Sequence, residues 1–234
     1  MALLDDALEA SGGLTRWRHM VGFTVHASVS GAVFSGVGRS NLLKDVVVEG
    51  DLLTRSLQLT GLVNPNHYGL LQPDRVAISD SSGEVLQSWD HPHTTFLLDP
   101  KSGTAWNDLQ IVYICGLSIW NFVTAPFMLA QPDMITEELP PQLANNQALR
   151  RLRAISNEFA PNREQLFYFD ADGLTRRTDY NVYGSAVAHY TSAHQKYCDV
   201  VIPTLRRSRL LDSDGTLIDS PPVLDLEIFD AKFE

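Results

Sequence analysis

The chain has 234 residues, of which 44% are hydrophobic and 20% are charged, and its formal net charge is −10. This length and composition are those of a folded protein with a sizeable core, so a disordered chain is not expected. The acidic balance disfavours nucleic acid and anionic membranes as the main partner, because both need a basic surface. We therefore expect no nucleic-acid partner.

An amphipathic helix is predicted at the start of the chain, over residues 2–10. Its leucines and alanines share one face, and its acidic side chains suit the N-terminal half of a helix. Gly12 and Gly13 follow, and glycine is typical of a helix C-terminus because that position often needs a left-handed residue. A signal peptide would instead begin with basic residues and continue into a longer apolar core. We therefore expect a cytoplasmic protein.

Alternation of apolar and polar residues predicts β-strands along most of the remaining chain. The clearest case is residues 21–33, where Val21, Phe23 and Val25 alternate with small or polar residues. No regular helical crossover separates the strands, so an antiparallel meander is expected rather than a parallel sheet. The predicted strands are 21–33, 46–50, 57–63, 68–71, 76–80, 84–89, 147–155, 165–170, 174–182, 186–194, 197–207 and 223–233.

One hairpin is predicted from its turn sequence, DADG at residues 170–173. Pairing Phe169 with Leu174 would place Arg176 on the apolar face of this hairpin. A bulge at Gly173 would exchange the two faces, because side chains alternate with a period of two. Both assignments stay open at this point.

Residues 104–130 form the most apolar stretch, and no charged side chain occurs from position 109 to position 132. The run is long enough to cross a bilayer, but Gly116, Pro126 and four uncharged polar residues interrupt it and no basic cluster flanks it. We therefore predict no stable membrane insertion, and a helical plug set between two runs of antiparallel strands. A strongly curved antiparallel sheet wrapped around this helical insert is an α+β fold, and we expect one domain over residues 1–234.

Several segments resemble known bacterial proteins. A short helix followed by SGGLTRW at 11–17 and a long strand is similar to the beginning of LolA-like half-barrels, the lipoprotein-carrier fold. That resemblance implies an antiparallel sheet that wraps incompletely around helices and encloses an apolar cavity. Other segments resemble a bacterial protein family to which no reaction is assigned: WNDL at 106–109, WNFVTAPFMLAQP at 120–132, REQLFYFDADGLTRRTDY at 163–180, AHYTS at 188–192 and VIPTLRR at 201–207.

Four residues are candidates for acid–base chemistry. His189 has a side chain that titrates near neutrality, and Tyr190 is its neighbour. A histidine bonded to a backbone carbonyl at the edge of the core is the alternative. Arg176 would need an acidic partner or an anionic ligand if it were buried, and Asp108 is an available partner. An internal ion pair and a carboxylate-bearing ligand are both open interpretations of Arg176.

Aromatic residues recur at helix-like intervals in the insert and could line a pocket for a flat apolar molecule. They could equally be ordinary core residues. Asn121 lies among them and needs hydrogen bonds, either as a structural bridge or as a ligand anchor. The candidate ligand-binding residues are Trp106, Tyr113, Trp120, Asn121, Phe127, Phe167 and Phe169.

Other patterns indicate little chemistry. Cys115 and Cys198 are predicted to be two buried, reduced thiols. The DHPH segment at 90–93 has two histidines but no further ligand at a recognisable spacing, so no metal is predicted. We expect no cofactor, since no phosphate-binding or dinucleotide-binding pattern occurs. Arg206, Arg207 and Arg209 are predicted to lie near a strand end as a solvated face.

Two functions are compatible with these patterns. The first is a cofactor-independent enzyme acting on a small, largely apolar metabolite by proton transfer, cyclisation or isomerisation. The second is a non-catalytic carrier or sequestering protein for a hydrophobic or lipid-like ligand. The sequence favours the enzyme, because the acid–base candidates occur where the pocket is expected. In both cases the partner is a small apolar molecule.

Overall fold

The computed structural model describes residues 2–36, 44–61, 66–92, 106–144, 147–156, 163–182 and 185–234. Its contacts divide the chain into two compact units, each built from two separate segments. Unit 1 consists of Met1–His19 and Val123–Pro222, and unit 2 consists of Met20–Phe122 and Val223–Glu234. The prediction of one domain stays a prediction.

The described helices are few and mostly short. α1 begins at Leu3 and ends at Ala10, where Gly12 and Gly13 both adopt positive φ angles, as the helix-ending pattern predicts. The longest helix, α4, is formed by the apolar insert, and all but its last two residues belong to unit 2. The helices are α1 (Leu3–Ala10), α2 (Leu14–Trp17), α3 (Ala32–Gly36), α4 (Asp108–Thr124) and a 3-10 helix (Phe127–Ala130).

Unit 2 contains seven strands that pair antiparallel in the order β6-β5-β4-β3-β2-β1-β13. Consecutive strands are neighbours from β1 to β6, as expected for a meander. The last strand of the chain then pairs with the first. These strands are β1 (Gly22–Ser30), β2 (Val46–Asp51), β3 (Ser56–Thr60), β4 (His67–Gln72), β5 (Arg75–Asp80), β6 (Val85–Asp90) and β13 (Asp225–Phe233).

Unit 1 contains six strands that pair antiparallel in chain order, from β7 to β12. The sequence did not predict β7, because its central Pro140-Pro141 pair argues against a strand; a register irregularity falls at this point. The strands are β7 (Met134–Ala144), β8 (Gln147–Ser156), β9 (Glu164–Phe169), β10 (Thr175–Val182), β11 (Ser185–Tyr197) and β12 (Val200–Leu211).

The core of unit 1 forms where α1 and the 3-10 helix pack on the sheet. Leu3 and Ala7 of α1 pack with Phe167 and Phe169 of β9, all four at most 3% exposed. At the edge of this contact Arg150 of β8 donates to Asp6 of α1 at 2.6 Å. We call the side of the unit 1 sheet that carries Phe167 and Phe169 the α1 face.

The core of unit 2 forms where α4 packs on β4. The contact is close, because a Cβ atom added to Gly69 would lie 2.4 Å from a methyl carbon of Val112. One turn further along α4, a Cβ atom on Gly116 would lie 2.7 Å from Leu71. Glycine at both positions therefore allows the helix to approach the strand. The apolar insert is a core helix of this unit, and none of the described helices is long and apolar enough to cross a membrane.

The two cysteines differ in exposure. Cys115 of α4 is buried, and burial raises the pKa of its thiol to about 12. Cys198 is exposed, because it lies in the tight turn between β11 and β12, where it adopts a φ of 48°. The prediction of two buried thiols is therefore correct for Cys115 and wrong for Cys198.

Candidate functional site

The α1 face changes from apolar to polar across the sheet. One row of paired residues runs from Leu152 on β8 through Phe167, Thr178 and His189 to Ser208 on β12. All five side chains are buried. The apolar half lies under α1, and the polar half is the candidate site. We call this half the polar α1 face; it consists of Thr178, Tyr180, His189, Thr191, Arg206 and Ser208.

His189 lies at the centre of the polar α1 face. Its imidazole stacks on the ring of Tyr180, with the ring centroids 4.7 Å apart. Burial, and to a smaller extent the nearby charge of Arg206, lowers the pKa of His189 to about 3. The same burial raises the pKa of the Tyr180 phenol. Both side chains are therefore uncharged at neutral pH.

Arg206 supplies the positive charge of the polar α1 face. It lies on β12 opposite Thr191 and is only 3% exposed. Burial lowers the pKa of its guanidinium to about 9, although the Tyr180 phenol opposes this shift. The prediction that Arg206 belongs to a solvated face is wrong. The sequence of β12 has arginines on both faces, and alternation alone did not tell which face is buried.

Hydroxyl groups complete the polar α1 face. The hydroxyl of Thr191 donates to the carbonyl oxygen of Thr175 on the neighbouring strand. The hydroxyl oxygen of Thr178 is buried and has no hydrogen-bond partner among the described residues. A buried hydroxyl without a partner is costly, so Thr178 is suited to contact a bound molecule.

Arg176 does not join His189. A register shift between Thr175 and Arg177 accompanies the turn, and Phe169 pairs with Thr175 rather than with Leu174. The Arg176 guanidinium instead donates to Asp170 at 2.5 Å and lies 3.5 Å from Nδ1 of His194. The internal ion-pair interpretation thus describes Arg176, but with Asp170 as the acid.

Tyr190 lies on the opposite side of the sheet from His189, because the two residues are consecutive on β11. There it faces Arg177, whose guanidinium carbon lies 5.4 Å from the Tyr190 ring and 4.9 Å from the Tyr168 ring. Asp179 accepts hydrogen bonds from both Arg177 and Tyr168. We call this side of the unit 1 sheet the arginine face.

The remaining candidates lie on or near the helices. Asp108 is in the first turn of α4, where a carboxylate suits the helix dipole. Reciprocal hydrogen bonds of 2.9 Å between Asn107 and Gln110 cap the same turn. Trp106 and Tyr113 are buried, whereas Trp120 and Asn121 are half-buried, and the Trp120 ring lies 6.0 Å from the ring of Phe23. Phe127 is fully buried and stacks on Trp17 at 4.3 Å, as an ordinary core pair.

Burial holds several titratable side chains of the described residues in their neutral forms near pH 7. They include His189, whose pKa is lowered, and Tyr113, Cys115 and Tyr168, whose pKa values are raised. No group of three or more metal-ligating side chains occurs among the described residues. The histidine at position 93 of the DHPH segment lies outside them.

Solved structures with the same fold identify the architecture. A domain from Vibrio parahaemolyticus that is named for outer membrane lipoprotein sorting has a TM-score of 0.57 at 7% identity, over 99% of this chain and 91% of that chain. A LolA superfamily protein from Nitrosomonas europaea has a TM-score of 0.55 at 11% identity, over 100% of this chain and 92% of that chain. The chain has a LolA-like fold.

A DUF1329 family protein from Desulfovibrio piger is similar to the same extent, with a TM-score of 0.56 at 10% identity over 100% of this chain and 92% of that chain. These likenesses confirm the predicted α+β fold of the LolA type, with its helical insert between antiparallel strands. No family model matches the sequence, and no curated protein matches it.

Proposed function

We propose that this LolA-like protein is a non-catalytic carrier that binds a hydrophobic, lipid-like ligand. The observation that carries the proposal is the LolA-like fold, which extends over the whole chain and is shared with a domain named for lipoprotein sorting. Carriers of amphiphiles need apolar surface for a chain and a few polar groups for its end.

The α1 face offers both kinds of surface in one row of side chains. Leu152 and Phe167 are apolar, and the next positions, Thr178 and His189, are polar. In our proposal the polar end of the ligand contacts the hydroxyl of Thr178, which lacks a partner among the described residues.

The enzyme is the weaker alternative. The four residues that the sequence favoured for catalysis are His189, Tyr190, Arg176 and Asp108. His189 and Tyr190 lie on opposite faces of one strand, and Arg176 is paired with Asp170. A histidine with a pKa of about 3 is also a poor base near neutral pH, because its protonated form is strongly disfavoured.

Ligand binding is tested with two probes. The purified protein is titrated with N-phenyl-1-naphthylamine, whose fluorescence rises in apolar surroundings, and palmitic acid is then added as a competitor. We expect saturable binding of the dye and its displacement by palmitic acid. No saturable binding of either probe would overturn the proposed function.

A matched pair of variants tests the position of the polar end. Thr178→Val removes a buried hydroxyl at nearly constant volume, and we expect it to change palmitic acid affinity while leaving dye affinity unchanged. Thr60→Val makes the same change at an exposed position of β3 and should alter neither affinity.

Native mass spectrometry of the protein as purified distinguishes the two functions. A co-purified ligand that is recovered unchanged after incubation supports a carrier, and a shifted ligand mass supports an enzyme.

A further inference from the structure

A row of alternating arginine and tyrosine residues crosses the arginine face of unit 1. The pairing registers align Arg151 on β8, Tyr168 on β9, Arg177 on β10, Tyr190 on β11 and Arg207 on β12. Neighbouring strands lie about 4.8 Å apart, so the arginines of alternate strands are spaced by about 10 Å. The row therefore sets three cations at regular intervals across five strands.

Only part of this positive charge is balanced. Asp179 pairs with Arg177, with hydrogen bonds of 2.5 and 2.8 Å. In the next row Glu137 and Glu164 pair with Arg153. The charge of Arg177, the central arginine of the row, is therefore neutralised by Asp179. Its guanidinium lies over the rings of Tyr168 and Tyr190.

The outer arginines are not balanced in this way. Arg151 donates to the carbonyl oxygen of Pro140 and to the side chain of Gln142, which are both uncharged. Arg207 is exposed, and Arg209 beside it donates to a backbone carbonyl. Within the described residues, none of these three arginines forms an ion pair. The arginine face is thus locally cationic, although the chain as a whole carries a charge of −10.

The surroundings of these cations favour a lipid surface over a nucleic acid. Unpaired bases bind by stacking on aromatic rings, but Tyr168 is 4% exposed and Arg177 lies over both tyrosine rings. The same face carries the apolar side chain of Ile135, which is 56% exposed, and half-buried Leu139. Arginine, tyrosine and aliphatic side chains together suit the boundary between lipid headgroups and acyl chains.

We propose that the arginine face docks the protein on a membrane surface that contains anionic phospholipids, with Arg151, Arg207 and Arg209 contacting the phosphate groups. The negative charges elsewhere on the chain do not prevent this, because charges more than about 8–10 Å away are largely screened at physiological ionic strength. Docking is peripheral and does not depend on which ligand the protein carries.

Co-sedimentation with vesicles tests the proposal on the full chain. We expect binding to vesicles of phosphatidylcholine mixed with phosphatidylglycerol, weaker binding as salt is raised, and little binding to phosphatidylcholine alone. Each arginine near an anionic surface strengthens binding by about fivefold, so Arg207→Gln with Arg209→Gln should weaken it by roughly 25-fold. Both side chains lie on the arginine face of β12, and a melting curve confirms that the variant is folded.

The matched control is Arg18→Gln with Arg163→Gln, which makes the same change in net charge at two exposed positions of unit 1. This control should bind the anionic vesicles as the unchanged protein does. Equal weakening by both double variants would overturn the proposal, since it would reflect net charge alone. Salt-independent binding, or binding of polyglutamate or a single-stranded oligonucleotide in place of the vesicles, would overturn it as well.

Discussion

The phenol ring of Tyr180 and the imidazole ring of His189 stack with their planes 15° apart on the α1 face of unit 1. The two residues belong to neighbouring strands and are diagonal neighbours in the ladder. Burial disfavours the charged form of each, so the stack is a neutral pair at physiological pH. This pair has a direct consequence for stability in acid.

His189→Phe should reduce the acid sensitivity of the fold. The pKa of His189 is about 3 in the folded protein, against an ordinary value of 6.5. Above about pH 6.5 the imidazole is neutral in both states and has no effect on pH dependence. As the pH falls from there towards 3, the unfolded state binds the proton first, and the free energy of unfolding drops by up to about 1.4 kcal/mol per pH unit.

Urea unfolding at a series of pH values between about 7 and about 4 measures this effect. The phenylalanine variant should lose less stability over that interval than the unchanged protein. His19→Phe, at an exposed histidine, is the control and should leave the slope unchanged. A His189→Phe slope equal to that of the unchanged protein would contradict the prediction.

Arg206→Met should raise the pKa of His194. Burial, followed by the positive charges of Arg176 and Arg206, lowers this pKa to about 4. Removing one of the two cations at similar side-chain volume therefore moves the pKa towards its ordinary value. An NMR titration of the histidine ring protons measures the shift. Arg207→Met removes the same charge from the opposite face and should move this pKa less; a larger shift from Arg207→Met would refute the assignment.

Tyr168→Phe and Asp179→Asn should each destabilise the fold, and their effects should not add. The Tyr168 hydroxyl donates to Asp179 at 2.8 Å in a largely buried position. Loss of one such bond costs about 1–2 kcal/mol, and loss of the carboxylate that also binds Arg177 costs about 2–3 kcal/mol. Chemical denaturation of the two single variants and the double variant gives the coupling energy. A coupling energy near zero would show that the hydrogen bond does not form in solution.

Gly69→Ala should destabilise the protein by about 1–3 kcal/mol, because the new methyl group overlaps Val112 of α4. Val112→Ala on its own should also be destabilising, since it leaves a cavity. The double variant Gly69→Ala with Val112→Ala should be more stable than the sum of the two changes predicts. Thermal unfolding of the three variants measures this, and strict additivity would argue against the close contact between α4 and β4.

Much of the architecture could be predicted from local sequence. Glycines at positions 12 and 13 ended α1 where expected, and the DADG turn produced its hairpin. The apolar insert forms the helix α4, as its length and lack of charge predicted. Gly116 does not interrupt this helix and lies where it packs closely on Leu71. These features depend on near neighbours in sequence, which is why pattern analysis found them.

The faces of the strands were harder to predict. Because of the register shift between Thr175 and Arg177, Thr178 pairs with Phe167 and belongs to the buried row, whereas Arg176 does not. On β12, Arg206 and Arg207 are consecutive and therefore lie on opposite faces, but both faces of this strand carry polar and apolar residues, so the sequence does not show which face is buried. The pairing of β12 with β11 decides which arginine lies on the α1 face, because Arg206 lies opposite Thr191 and Arg207 lies opposite Tyr190. Such long-range pairing is not visible in a single strand.

The pairing of β1 with β13 has a consequence for biosynthesis. One edge of β1 is completed by β2 soon after both are translated, but the other edge waits for residues 225–233. A chain in which residues 225–233 have not yet formed would have an unpaired edge on β1, and exposed strand edges with apolar residues favour association with other chains. A fragment that lacks residues 225–233 would therefore keep this edge of β1 open and be prone to aggregation.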